Sequence, residues 1–111
     1  MSNEPTEING IGDKFWLNSE GQLHRDNDLP AVITLNGYHA WWQNGKCHRD
    51  NDLPAVIDIN GYCVWYQHDG KIKEKYCTKK EIEEYKKPHY FQKVKNIKFD
   101  IKFDRFEKLI K

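Results

Sequence analysis

The sequence predicts a mainly β protein, an antiparallel meander of repeated hairpins followed by a small C-terminal α+β tail. Three observations predict it. The string HRDNDLPAVI occurs at 24–33 and again, identically, at 48–57. Five turn dipeptides punctuate the middle of the chain: Glu20-Gly21, Asn36-Gly37, Asn44-Gly45, Asn60-Gly61 and Asp69-Gly70. Between them lie short β-branched and aromatic runs (AVITL, YHAWWQ, AVIDI, YCVWYQ) in a chain that is 14% aromatic. Such residues suit a pleated, half-buried surface.

At 111 residues the chain has room for one modest core. The first residues, MSNEPTEINGIG, carry neither the basic nor the apolar segment of a secretory leader and read as a flexible arm over 1–12. The hairpin sheet is expected over 13–77 and a basic helix-strand-helix tail over 78–111, within the same domain. No apolar run reaches the length of a membrane span. Cys47, Cys63 and Cys77 form an odd, scattered set rather than a disulfide framework, which points to a reducing, cytoplasmic setting. Cys47 and His48 are adjacent, so on a strand they face opposite ways, and no metal or cofactor is expected.

Charge divides the chain. Residues 1–77 hold 7 Lys and Arg against 11 Asp and Glu, a balance of −4, while 78–111 hold 11 against 6, a balance of +5. A change of sign marks a change of structural unit.

Each hairpin can be given a register. With Asn36-Gly37 as a two-residue type I′ loop, Leu35 faces Tyr38, Ile33 faces Ala40 and Ala31 faces Trp42 on one side. Thr34–His39 and Val32–Trp41 then share the other side. The second copy places Ile57–Val64 and Ala55–Tyr66 on the first side, with Asp58–Cys63 and Val56–Trp65 on the second. The aspartate marks the second side as the less buried one, so Ile33, Ile57, Trp42 and Tyr66 are the expected core. Through Asn44-Gly45, Trp42 meets Cys47 and Trp41 meets His48. The second side thus carries Trp41, Trp65, His39, His48 and, by repeat, His24: a binding stripe, or a surface covered by the tail.

His-Arg-Asp is also the triplet of a protein-kinase catalytic loop. That chemistry needs a Gly-rich phosphate loop, a strand lysine and a metal-binding DFG, none of which the sequence contains. Two catalytic aspartates 24 residues apart would serve no single site. A corner is the better reading. Asp26-Asn27-Asp28 and Asp50-Asn51-Asp52 can bond their own backbone, Pro30 and Pro54 preset the next strand, and Arg25 and Arg49 can pair with nearby aspartates.

Tyr38-His-Ala-Trp-Trp42-Gln-Asn44-Gly45-Lys46-Cys-His48 resembles a MORN repeat, with its Tyr, a Trp four residues on, and N-G-K-x-H. It is similar in particular to bacterial and viral variants whose hairpin ends in His-Arg before a Pro-Ala-Val segment, here Pro54-Ala55-Val56 and Pro30-Ala31-Val32. The resemblance covers about residues 15–73, and Ala40 and Arg49 stand where the family has Gly. It implies a hairpin sheet that binds proteins, and sometimes lipids, rather than a catalyst. It also implies relatives among antitoxin-like, phage and viral proteins.

In the tail, Thr78-Lys-Lys-Glu81 is a capping box opening a helix that runs toward Lys87 and stops before Pro88. Ile97-Lys-Phe-Asp-Ile-Lys-Phe103 alternates as a strand, and Asp104 could cap a last short helix ending near Ile110. A continuous helix from Phe91 would split the apolar residues into two stripes. The expected function is a non-enzymatic protein-binding module, an adaptor or an inhibitor of a host or bacterial factor, engaging its partner through Trp41, Trp65, His24, His48, Arg25, Arg49 and His39. The alternative is nucleic-acid or nucleotide binding through the Trp/His face or through Lys79, Lys80, Lys86, Lys87, Tyr90, Lys93 and Lys95.

Overall fold

A computed structural model describes residues 4–89. The chain forms β1 (Glu7–Ile8), β2 (Lys14–Phe15), β3 (Val32–Ile33), β4 (His39–Ala40), β5 (Trp42–Gln43), β6 (Lys46–Cys47), β7 (Val56–Ile57), β8 (Tyr62–Gln67), β9 (Gly70–Tyr76) and α1 (Lys79–Tyr85). Seven strands make one sheet in the order β1-β2-β3-β4-β7-β8-β9, every neighbour antiparallel, and β5 and β6 pair separately. Among the described residues the fold is mainly β with one short helix, in keeping with the mainly β class that the sequence predicts. Part of the expected arm is in the sheet, since Glu7 and Ile8 pair with Phe15 and Lys14. The strand expected at Ile97–Phe103 and the helix after it lie outside the described residues.

The sheet registers differ from expectation by one residue. Val32 pairs with Ala40 and Ile33 with His39, and in the second copy Val56 pairs with Val64 and Ile57 with Cys63. The cause is in the turns. Positive φ falls on Gly37 and Gly61 and not on Asn36 or Asn60, so neither Asn-Gly is a type I′ pair. Instead Thr34 O accepts from Gly37 N–H at 3.1 Å while Thr34 N–H donates to Tyr38 O at 3.0 Å. This is a type I turn closed by a Gly bulge, with three residues in the loop rather than two. The Thr34 hydroxyl accepts from Tyr38 N–H, and Asp58 Oδ1 accepts from both Asn60 and Tyr62 N–H. By contrast Asn44 and Gly45 both have positive φ (51° and 81°), and there Trp42 does face Cys47 as expected.

The slip re-sorts the faces. Carried one residue further, the observed register sets Trp16, Ala31, Trp41, Ala55, Trp65 and Lys73 side by side across the sheet. Each alanine is fully buried between two indoles, and only a methyl group leaves room for both. The main core cluster is therefore Trp41, Cys47, Ala55, Ile57, Cys63 and Trp65, and Trp42 and Tyr66 are only half-buried at its margin. Ile57 is buried as expected but Ile33 is not, because Ile82 and Tyr85 of α1 pack against the cluster that holds Ile57.

The helix forms where its signals stand. Thr78 accepts from Glu81 N–H and the Glu81 carboxylate accepts from Thr78 N–H, the reciprocal capping box. Lys75 pairs with Glu81 at 3.2 Å and ties the helix start to the edge strand.

Candidate functional site

Both HRDND segments build the same corner. His24 Nδ1 accepts from Asn44 N–H at 3.0 Å and His48 Nδ1 from His68 N–H at 3.1 Å. The proton of each ring is therefore on Nε2, donated to Asp26 at 2.9 Å and Asp50 at 2.8 Å. Arg25 and Arg49 bond the carbonyls of Pro30 (3.1 Å) and Pro54 (3.2 Å) and lie over the Trp16 and Trp41 rings at 3.8 and 3.9 Å. Gln43 and Gln67 return to the carbonyls of Arg25 and Arg49, both at 2.7 Å. Trp41 and Trp65 donate their indole N–H to Asp28 O and Asp52 O. The chain reverses on left-handed pairs, Asn27-Asp28 and Asn51-Asp52 (φ 66°, 56°, 67° and 57°), residues that tolerate that conformation.

The second corner is closed more tightly. Arg49 is 2% exposed and forks onto Asp28, Nε to Oδ1 at 2.8 Å and Nη2 to Oδ2 at 3.1 Å. Nη2 also donates to Lys87 O (3.0 Å), and His89 N–H donates to Asp28 Oδ2 (2.6 Å), so the residues after the helix are sewn into this corner. Burial lowers the pKa of Arg49, and the hydrogen bond and charge of Asp28 oppose that shift. A cleft of about 290 Å³ opens beside it, lined by Asp28, Trp41, Gln43, His48, Asp50 and His68 among others, with the His48 and His68 rings stacked at 4.2 Å.

The sequence-nominated side chains are thus brought together, but as parts of the scaffold. Trp41 and Trp65 are 2% and 4% exposed, the first covered by Arg49 and the second by Lys73 and Tyr85. His24 and His48 use both ring nitrogens internally. His39 is half-buried, donates Nδ1–H to Gly37 O at 3.0 Å, and has its pKa lowered by burial. Of the basic tail set, Lys79 and Lys80 are exposed, while Lys86 and Lys87 are half-buried in a shallow surface with Glu83 and Glu84. Tyr90, Lys93 and Lys95 lie outside the described residues.

One feature escaped the pattern reading. The turns after Asn9, Thr34 and Asp58 are the same turn, each start residue accepting from the Gly three residues on. They put Ile11, Leu35 and Ile59 at the tips, 70%, 73% and 55% exposed. Two strands separate successive tips in the sheet order. At ~4.8 Å per strand the three turns follow one another at a pitch of about 9–10 Å, and the Leu35 side chain lies against Gly12 of the first turn. The signal available beforehand was an aliphatic residue inside three turns that needed none.

Fold and corners define a hairpin-repeat domain closed by a capped helix. Comparison with known protein families, with curated proteins and with solved structures finds no match to the chain. No helix among the described residues is long and apolar enough to cross a membrane.

Proposed function

We propose that the chain is a non-enzymatic protein-binding module of MORN-like hairpins, acting as an adaptor or inhibitor, and that it docks its partner along the turn edge. The observation that carries this reading is the set Ile11, Leu35 and Ile59, three large aliphatic side chains left exposed in three turns of one kind along one edge of the sheet. Exposed single aliphatics are ordinary, but several along one edge are a patch. The histidines support the same reading from the other side. A general base needs a free ring nitrogen near substrate, and those of His24 and His48 are engaged by backbone N–H and aspartate. Stacking on bases needs open indole faces, and Trp41 and Trp65 offer little.

The test is a comparison of affinity-capture profiles for the native chain and for an Ile11→Glu, Leu35→Glu, Ile59→Glu triple variant whose thermal midpoint is checked first. A protein retained by the native chain, lost by the variant, and held equally at low and high salt supports the proposal. Capture unaffected by the triple variant, or binding that collapses with salt as phosphate contacts do, overturns it.

A further inference from the structure

We infer that Cys63 and Cys77 are an oxidisable thiol pair, in which a hydroperoxide converts Cys77 to a sulfenic acid and Cys63 then closes a disulfide onto it. The placement follows from the register. Cys63 on β8 faces Lys75 on β9, so Cys77, two residues further on, returns its side chain to the same face. Both residues gather on one carbonyl: Cys77 N–H donates to Gly61 O at 2.9 Å, and the Cys63 Sγ lies 3.8 Å from the same oxygen. Cys77 packs on the core cluster that contains Cys63 and is a side-chain neighbour of its thiol.

Access sets the order of events. Cys63 is fully buried, while Cys77 is only half-buried at the junction of β9 and α1. An oxidant from solvent therefore meets Cys77 first. In the first step the Cys77 sulfur attacks the peroxide, the O–O bond breaks, and the sulfenic acid and water (or an alcohol) are formed. In the second the Cys63 sulfur attacks Cys77, the S–O bond breaks, and the Cys63 proton leaves with the oxygen as water. Burial, followed by the neighbouring Cys77, Asp58 and Glu81, pushes the Cys63 thiol up to about 12. A thiol held protonated reacts slowly, so the pair responds once to sustained oxidation and is not a turning-over peroxidase. Cys47, buried against Trp42 in the β5–β6 hairpin, is left as the third thiol.

The bond would join strand β8 to the residue just before the helix cap, fixing the helix that covers Trp65. Closing a loop of this size constrains the unfolded chain, and the oxidised protein should melt roughly 5–15 °C higher.

The experiment treats the full native chain with hydrogen peroxide, alkylates what remains, and counts thiols after denaturation. The count is expected to fall from three to one, with a Cys63–Cys77 cross-link in the peptide map and reversal by dithiothreitol. Cys47→Ser should give the same cross-link, and Cys77→Ser should give none. Retention of all three thiols, a cross-link through Cys47, only intermolecular bonds, or accumulation of Cys77 sulfinic acid without a cross-link would each overturn the assignment.

Discussion

Replacing Arg49 by alanine tests whether the duplicated motif is a structural corner. Arg49 is 2% exposed and satisfies four groups: both oxygens of Asp28, Pro54 O and Lys87 O. Its removal leaves Asp28, whose side chain is 17% exposed, as an unneutralised carboxylate. Breaking one partner of such a pair costs about 3–5 kcal/mol. The orphaned carbonyls and the uncovered Trp41 ring belong partly to the same loss, so we expect about 4 kcal/mol in all. For a domain of this size that lowers the thermal midpoint by roughly 15–30 °C.

The sequence supplies its own control. Arg25 occupies the twin position but is only half-buried, and its contacts are Pro30 O and the Trp16 ring. Arg25→Ala should cost about 1–2 kcal/mol. Urea unfolding followed by fluorescence of the four tryptophans measures both variants, and an Arg49→Met, Asp28→Asn cycle isolates the pair. Asparagine at 28 still tolerates the left-handed φ of 56° and still accepts from His89 N–H. Equal losses in Arg49→Ala and Arg25→Ala, or a coupling energy below about 0.5 kcal/mol, would refute the reasoning.

Two further outcomes are expected. His39 has a folded pKa below its ordinary 6.5, through burial first and the nearby Lys86 as well, against the opposing bond to Gly37 O. Between the two values the unfolded chain binds more protons, so this contribution is complete above 6.5 and lost as pH falls through and below it. Thermal midpoints from about pH 8 to about pH 5 should fall more steeply for the native chain than for His39→Gln, and parallel curves would count against the burial argument. Cutting after Cys77 removes Ile82 and Tyr85 from the core cluster. At ~1.5–3 kcal/mol per large side chain buried, residues 1–77 should unfold at a clearly lower denaturant midpoint than residues 1–89, and coincident midpoints would mean the helix is not a cover.

The elements were legible in the sequence where one local signal decides them. Thr78 and Glu81 announced the helix, Asn44-Gly45 the type I′ hairpin, and the duplicated HRDND the corner, because each depends on a few adjacent residues. Register was not legible from Asn-Gly alone. Asn36-Gly37 and Asn60-Gly61 look like Asn44-Gly45, yet Thr34 and Asp58 stand three residues before the glycine and capture its turn, as Asn9 and Asn18 do before Gly12 and Gly21. Three residues before Gly45 stands Trp42, whose side chain offers no acceptor that could capture the turn. That one-residue difference moved Trp41 and Trp65 from an expected open stripe into the core. The fork of Arg49 onto Asp28 spans 21 residues and the bond from His89 to Asp28 spans 61, contacts that only the folded chain brings together.

The third unit shows how the repeat is made to stop. Moving 24 residues on from the second corner, Arg49-Asp50-Asn51-Asp52-Leu53-Pro54 becomes Lys73-Glu74-Lys75-Tyr76-Cys77-Thr78. Lys73 keeps both tasks of the arginine in weaker form, 4.8 Å from the Trp65 ring and 3.4 Å from Asp52. Lysine and tyrosine replace the Asn-Asp pair that takes left-handed φ, so the chain has no means of reversing there. It runs straight instead, and β9 reaches seven residues where most strands of the sheet have two. Among the described residues β9 is an edge strand; a long edge invites pairing with another chain, but Lys71, Lys73 and Lys75 along it discourage that. Threonine in place of proline then caps a helix rather than opening another strand, and that helix turns back over Cys63 and Trp65. Losing the motif in the third copy is therefore what replaces another hairpin by a capped helix on the core, which is the role terminal caps play in repeat proteins.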